Sequence, residues 1–359
     1  MQRSSRPLSL PGPGTAHPIR SLVGDRLRLS RPLAETLPAG KSYFSAWTPN
    51  RSRTVAKLLA GQLGWGGEPE AVRHDHHATF RLGDIIAKIV NPEYATPDEV
   101  QRQLDFARLC HEGGAPVLAP LEPQVRTVTQ GGEQFTATLW PHIPALDKPA
   151  DAFTAGAALA VVHRIPLETA AEPLRPVDPC EITARRLALI EPVLSESEQA
   201  LLHERLDQAR EFWAQLNSEH GLRQVPIQLN YHRGSITASP LHDGTTGPWI
   251  LDMEHSGIGP PEADLHRVQL GVDRFGASPS TVDDFRAGYG SVPGVPALST
   301  DPEVTRKLRG VWEPFVIAER CSSLVYDKPA LESELHLRVE SLRYEPTDPN
   351  APRWTHQAG

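Results

Sequence analysis

The chain has 359 residues, 39% of them apolar, which is enough for one large or two ordinary domains with a sizeable core. No apolar run approaches the roughly 20 residues that span a bilayer, and no basic–apolar–small signal pattern is present. The three cysteines, Cys110, Cys180 and Cys321, lack CxxC spacing. A membrane protein, a disulfide framework and a zinc knuckle are therefore excluded, and a cytoplasmic protein is expected.

The formal net charge of −8 is unevenly spread. Residues 1–57 hold ten Lys/Arg against only Asp25 and Glu35, so the rest carries −16. That remainder is a poor nucleic-acid binder, because phosphate contacts need clustered cations. Residues 1–45 also contain Pro7, Pro11, Pro13, Pro18, Pro32 and Pro38 with little apolar periodicity, and a disordered basic arm is predicted there.

Val55–Leu63 has a helical pattern ended by the Gly64–Gly67 stretch. Glu70–Arg73 and Thr79–Val90 are strand-like, the second interrupted by a Gly83-Asp84 turn signal. The run His74-Asp75-His76-His77 joins them. Strand alternation would set His74 and His76 on one face and His77 on the other, and no Cys or distant carboxylate is clearly paired with them. A turn, rather than a structural zinc site, is the expectation.

From Pro97, Val100, Leu104, Ala107 and His111 form one helical stripe, closed by Gly113-Gly114. Val117–Leu121 follows, then a hairpin of Gln124–Thr129 and Gln134–Trp140 around Gly131-Gly132. The second half is mostly helical: Phe153–His163, Ile182–Ile190, Glu196–Asn217, Leu265–Phe275, Val282–Tyr289, Pro302–Tyr326 and Leu331–Leu342. A strand-like zone at 225–254 interrupts it. This order predicts an α+β, bilobal fold with a small β-rich lobe over 46–140 and a larger helical lobe over 141–345. A polar tail at 346–359 closes the chain.

Six segments carry the functional signal. They are Asp84–Val90 (DIIAKIV), Leu139–Pro144 (LWPHIP), Gly156–Pro166 (GAALAVVHRIP), Gln228–Ser235 (QLNYHRGS), Trp249–Leu265 (WILDMEHSGIGPPEADL) and Leu335–Arg343 (LHLRVESLR). In Trp249–Leu265 an acid-x-acid pair follows a buried-strand pattern, so Asp252 emerges where a core strand ends, a placement typical of a site. His163, ending an apolar helix, reads as a satisfied core histidine that orients a neighbouring loop. No GxSxG elbow and no GxxxxGK[ST] loop occurs, which excludes those hydrolase and P-loop classes.

In order and spacing these segments resemble the landmarks of the aminoglycoside/choline-kinase phosphotransferases, over roughly residues 55–345. The resemblance implies a protein-kinase-like fold, ATP or GTP with Mg2+ as cofactor, and a small-molecule hydroxyl, or a peptide Ser/Thr hydroxyl, as acceptor. It places Lys88 on the nucleotide phosphates, Trp140 and His142 at the hinge, and Asp252 with Glu254 on the metal. The lysine's helix partner should be a glutamate; Gln103 matches best, and Glu99 lies one turn earlier on the same face.

The catalytic loop departs from the family's His-Gly-Asp followed by Asn. Gln228-Leu229-Asn230 and then Ser235 stand there. Asn230 cannot serve as a base at neutral pH, and Ser235 offers a weaker metal ligand than an amide carbonyl. His232 is a stand-in base on this reading. The expectation is a weakened small-molecule kinase; the alternative is an inactive pseudokinase that binds a nucleotide, metabolite or protein partner. Neither reading involves a membrane or nucleic acid.

Overall fold

The computed structural model describes residues 47–355 apart from 75, 93, 144–148, 171–173, 191–192, 220, 232–234, 241–243, 245–246, 325–327 and 349. The predicted arm at 1–45 and the stand-in base His232 lie outside the described residues.

Five antiparallel strands open the body: β1 (Glu70–His74), β2 (His77–Leu82), β3 (Ile85–Val90), β4 (Arg126–Gln130) and β5 (Glu133–Pro141), in the order β1-β2-β3-β5-β4. The β4–β5 turn needs two left-handed residues, and Gly131 (φ 60°) and Gly132 (φ 87°) supply them. Helix α1 (Pro49–Gln62) covers one face of the sheet. It starts six residues before the predicted Val55, because the Thr48 hydroxyl accepts from the Arg51 N–H and Pro49 sits at the first turn. Val55 and Leu59 pack there with Phe80, Ala87, Ile89, Phe135, Ala137 and Leu139.

Strand alternation then decides what the other face carries. Ala87 and Ile89 enter the core under α1, so Lys88 between them points to the opposite face. Lys88 pairs in register with Thr79 on β2 and Thr138 on β5. Trp140 shares that face with Thr138, and its indole N–H donates to the Thr138 hydroxyl at 2.8 Å.

Helix α2 (Pro97–Glu112) is fixed at its start by a reciprocal capping box between Thr96 and Glu99. Val100, Leu104 and Ala107 are buried as the stripe predicts, but His111 is exposed and donates from Nδ1 to the Val117 carbonyl at 3.0 Å. Val117–Leu121 is not a strand. Pro116 and Pro120 remove ladder donors, and Val117 makes one parallel bridge to Ile250.

The helical part comprises α3 (Ala152–His163), α4 (Pro179–Ile190), α5 (Glu196–Ser218), α6 (Glu262–Asp273), α7 (Ser280–Gly290), α8 (Pro302–Leu324) and α9 (Lys328–Ser341). Its core gathers Leu206, Trp213, Trp312, Phe315 and Val339. The predicted polar tail returns to this core: Trp354 is buried, donates its indole N–H to the Ser341 hydroxyl at 2.8 Å and lies under the Arg274 and Arg338 guanidiniums. Helices α3 and α7 meet at Gly156 and Gly288, where each backbone lies against the other helix.

The strand-like zone resolves into two small pairs, β6 (Val225–Ile227) with β9 (Gly257–Gly259) and β7 (Ile236–Thr237) with β8 (Trp249–Ile250). Ile250 is fully buried and held on both sides: its N–H donates to the Pro116 carbonyl at 2.7 Å, and the Leu118 N–H donates to its carbonyl at 3.2 Å. The chain leaves this buried strand at Leu251 and reaches Asp252.

Candidate functional site

Asp252 has a left-handed backbone, φ 63°, and Leu229, one residue before Asn230, has φ 65°. Both conformations are uncommon for non-glycine residues and cost of order 1 kcal/mol each, so the surrounding contacts must hold them. Gln228 supplies some of those contacts. Its side-chain amide donates to the carbonyls of Leu251 (3.2 Å) and Asp252 (2.6 Å), tying the two loops together. The Gln228 N–H in turn donates to Asp264 Oδ2 at 2.8 Å.

Asp264, fully buried in the first turn of α6, also faces His163 Nε2 at 3.0 Å. His163 Nδ1 meets the Tyr289 hydroxyl at 3.0 Å. Through Asp264, His163 at the end of α3 is thus linked to the backbone of the loop. This gives physical content to the expectation that His163 orients a loop; Asp264 was missed because its burial is invisible in sequence.

Lys88 reaches across to the segment after β8. Its ammonium is bonded to the Glu254 carboxylate and lies 3.4 Å from Asp252 Oδ1. The carboxylate partnered with Lys88 is therefore Glu254. Gln103, the predicted helix partner, donates instead to the Glu254 backbone carbonyl at 3.2 Å. Glu99 spends its oxygens on the Thr96 cap and on Arg185 at 3.1 Å. The capping-box signal T-x-x-E was present in the sequence and accounts for Glu99.

Burial alone would raise the Glu254 carboxyl, but the Lys88 ammonium and the imidazoles of His77 and His76 outweigh it and hold it well below the usual range. Asp252 is shifted the other way, upward, by desolvation and by the neighbouring Glu254 charge. Burial lowers His77 strongly, against the opposing pull of the Glu254 charge.

The histidine run departs from the strand-alternation expectation. β1 ends at His74, the chain bends, and β2 begins at His77. His74 stacks on Trp47, with ring centroids 5.6 Å apart, while His76 and His77 both turn toward Glu254, at 3.4 and 3.5 Å. A distant carboxylate is thus paired with them after all. Tyr94, pushed up to about 12 by burial, packs against both rings, and Arg186 bonds its hydroxyl and His255.

Asn230 is held at both ends of its amide. Nδ2 donates to Glu319 Oε1 at 2.6 Å, and Oδ1 accepts from Arg267 at 2.9 Å; Arg267 and Glu319 are themselves paired at 3.1 Å. Ser235 is buried and donates its hydroxyl to the Asn230 carbonyl at 3.0 Å. Trp140 and Pro141 end β5, and the His142 N–H donates to the Asp84 carbonyl at 2.9 Å. Arg267 and Glu319 carried no sequence signal, since one lies mid-helix in α6 and the other in α8.

The donor chemistry suits a nucleotide with a hard divalent cation. Asp252 offers carboxyl oxygens on a 36% exposed side chain beside an ammonium, and oxygen ligands are what Mg2+ takes. A hollow of about 320 Å3 lined by Leu109, Arg164 and Ile165 lies elsewhere, at the α2–α3 junction, and contains none of these residues.

A five-stranded antiparallel sheet presenting a lysine to an acidic segment of a helical lobe defines a kinase-like, bilobal α+β protein. Residues 68–304 match the model of the phosphotransferase enzyme family, and the chain belongs to that family. No match to a curated protein was found.

Solved structures share the fold at low identity. An amicoumacin kinase in complex with AMP-PNP, Ca2+ and Ami aligns with a TM-score of 0.60 and 12% identity, over 84% of this chain and 98% of that one. A spectinomycin phosphotransferase in complex with ADP and spectinomycin gives 0.52 and 15%, over 81% and 95%. An aminoglycoside phosphotransferase from Streptomyces rimosus gives 0.54 and 18%, over 73% and 97%.

Proposed function

We propose that the chain binds a nucleoside triphosphate with Mg2+ between Lys88 and Asp252. It transfers the γ-phosphoryl group to a hydroxyl of a small molecule, at a rate reduced by its catalytic-loop changes. The observation that carries this reading is the convergence of Lys88 with Asp252 and Glu254, residues 164 and 166 positions apart in sequence. Lys88 grips phosphate oxygens and Asp252 holds the cation, which when bound neutralises charge on the transferring group. Glu254, engaged with Lys88, holds that ammonium in place when no phosphate is present. The nucleotide-bound solved structures support nucleotide use.

The reduced rate follows from Asn230. Its amide has no proton affinity at neutral pH, and the missing general base is worth roughly 10²–10⁴-fold. A second reading, nucleotide or metabolite binding without transfer, is favoured by the way Arg267 and Glu319 occupy both ends of that amide.

The test combines a thermal-shift assay with ATP and GTP, with and without Mg2+, and turnover against a panel of hydroxylic acceptors. Expected is a Mg2+-dependent upward shift that Asp252→Ala removes. Turnover should rise in the Asn230→Asp, Glu319→Gln, Ser235→Asn triple variant; Glu319→Gln is included because Asp at 230 would otherwise face a carboxylate. A shift without turnover in either protein selects the second reading. No shift with any nucleotide overturns the first reading and leaves of the second only the binding of a metabolite.

A further inference from the structure

We propose that His76, His77 and Glu254 form a binding site for a borderline divalent transition-metal ion such as Zn2+, distinct from the Mg2+ position at Asp252. The His76 and His77 imidazole nitrogens and a Glu254 carboxylate oxygen all lie within 4.8 Å of one another. Individual separations from Glu254 are 3.4 Å to His76 Nε2 and 3.5 Å to His77 Nε2. Tetrahedral ligand atoms with bonds of about 2.0–2.2 Å sit about 3.3 Å apart, so the three donors need to close by at most about 1.5 Å. Side-chain rotation covers that distance without moving a strand.

The surroundings shelter the donors and keep them facing one another. Side-chain exposure is 13% for His76, 4% for His77 and 9% for Glu254. Tyr94 packs against both imidazoles, with centroids 4.4 and 4.9 Å away, and the Glu254 carbonyl is anchored by Gln103. Two nitrogens and one oxygen select against Mg2+ and Ca2+, which take oxygen ligands, and suit Zn2+, Co2+ or Ni2+. Three protein ligands leave a fourth position for water or an anionic oxygen.

Lys88 is the competitor. Its ammonium contacts Glu254, and Asp252 Oδ1 lies 3.4 Å away as an alternative partner. A metal ion on Glu254 therefore shifts Lys88 toward Asp252. Neutralising Lys88 should tighten metal binding, a consequence that casual zinc binding by surface histidines does not share.

The site stands independently of phosphotransfer, so it is tested without nucleotide. Zn2+ affinity of the full chain is measured by competition with a chromophoric chelator, and Co2+ by its visible absorption. Expected is one ion per chain, weakened about tenfold or more by His76→Asn and by His77→Asn. His203→Asn on α5 should change nothing, Lys88→Met should bind tighter, and excess Mg2+ should not compete. Because a variant can misfold, the wild-type chain is also crystallised with Zn2+. An anomalous peak between these three side chains supports the site. No binding, affinity untouched by the His76 and His77 changes, displacement by Mg2+, or a peak only elsewhere overturns it.

Discussion

Replacing Gly288 by alanine tests how closely α3 and α7 are held together. A Cβ built at Gly288 falls 2.6 Å from the Phe153 carbonyl carbon and 2.9 Å from its Cα, and nearer still to its carbonyl oxygen. These are backbone atoms of α3, so no side chain can swing aside, and the helices must part by roughly 1.5 Å to bring that oxygen out to ordinary contact. Overpacking of this kind costs up to about 3 kcal/mol, while alanine gains about 1 kcal/mol in helix propensity over glycine. The net expectation is a loss of about 2 kcal/mol, read by chemical denaturation, with a midpoint lower by roughly 3 °C on heating.

The matched control is Gly61→Ala in α1, where a Cβ meets nothing within 4 Å, so the propensity gain should appear alone. Gly156→Ala, 2.9 Å from the Tyr289 nitrogen, should behave like Gly288→Ala. Equal stability of Gly288→Ala and Gly61→Ala would refute the reasoning.

Three further outcomes are expected. His266 is buried and neutral, its imidazole brought down to about 3 by burial first and by Arg309 and Arg267 next. An unfolded histidine binds its proton near 6.5, so the unfolded state holds more protons below that pH. Stability is present above about 6.5 and lost as pH falls toward 3, by about 2 kcal/mol at pH 5; denaturation of His266→Gln should show a shallower decline. Trp354→Ala, which empties a buried indole site against Ser341, should cost about 3–5 kcal/mol by urea unfolding. Asn230→Asp alone should lose about 1–3 kcal/mol by setting a second carboxylate against Glu319, and Glu319→Gln should restore most of it. Unchanged stability of the single variant would remove Glu319 from the account.

Element order follows from local physics that can be read along the chain. The β3 pattern of Ala87 and Ile89 flanking Lys88 settles which face the lysine takes, because strand alternation leaves no other choice. Thr96-Pro97 with Glu99 starts α2, and Gly131-Gly132 turns the β4–β5 hairpin, each by a requirement of one or two residues. The acid after a buried strand was legible too, since Ile250 has to be inside and the charged Asp252 can emerge only where that strand ends.

Which side chains meet across long separations is set instead by how the elements pack. Lys88 takes Glu254 rather than a residue of α2, because the loop after β8 brings that carboxylate to the sheet while Gln103 anchors its backbone. His76 and His77 turn to one side together because the chain bends between β1 and β2, which cancels the alternation that a continuous strand would impose. Asn230 is tied to Arg267 and Glu319 from α6 and α8 through a helix packing that no local pattern encodes. Periodicity records which face of an element is apolar; it holds no information on which polar groups of two separate elements are close enough to share a proton, a charge or a metal ion.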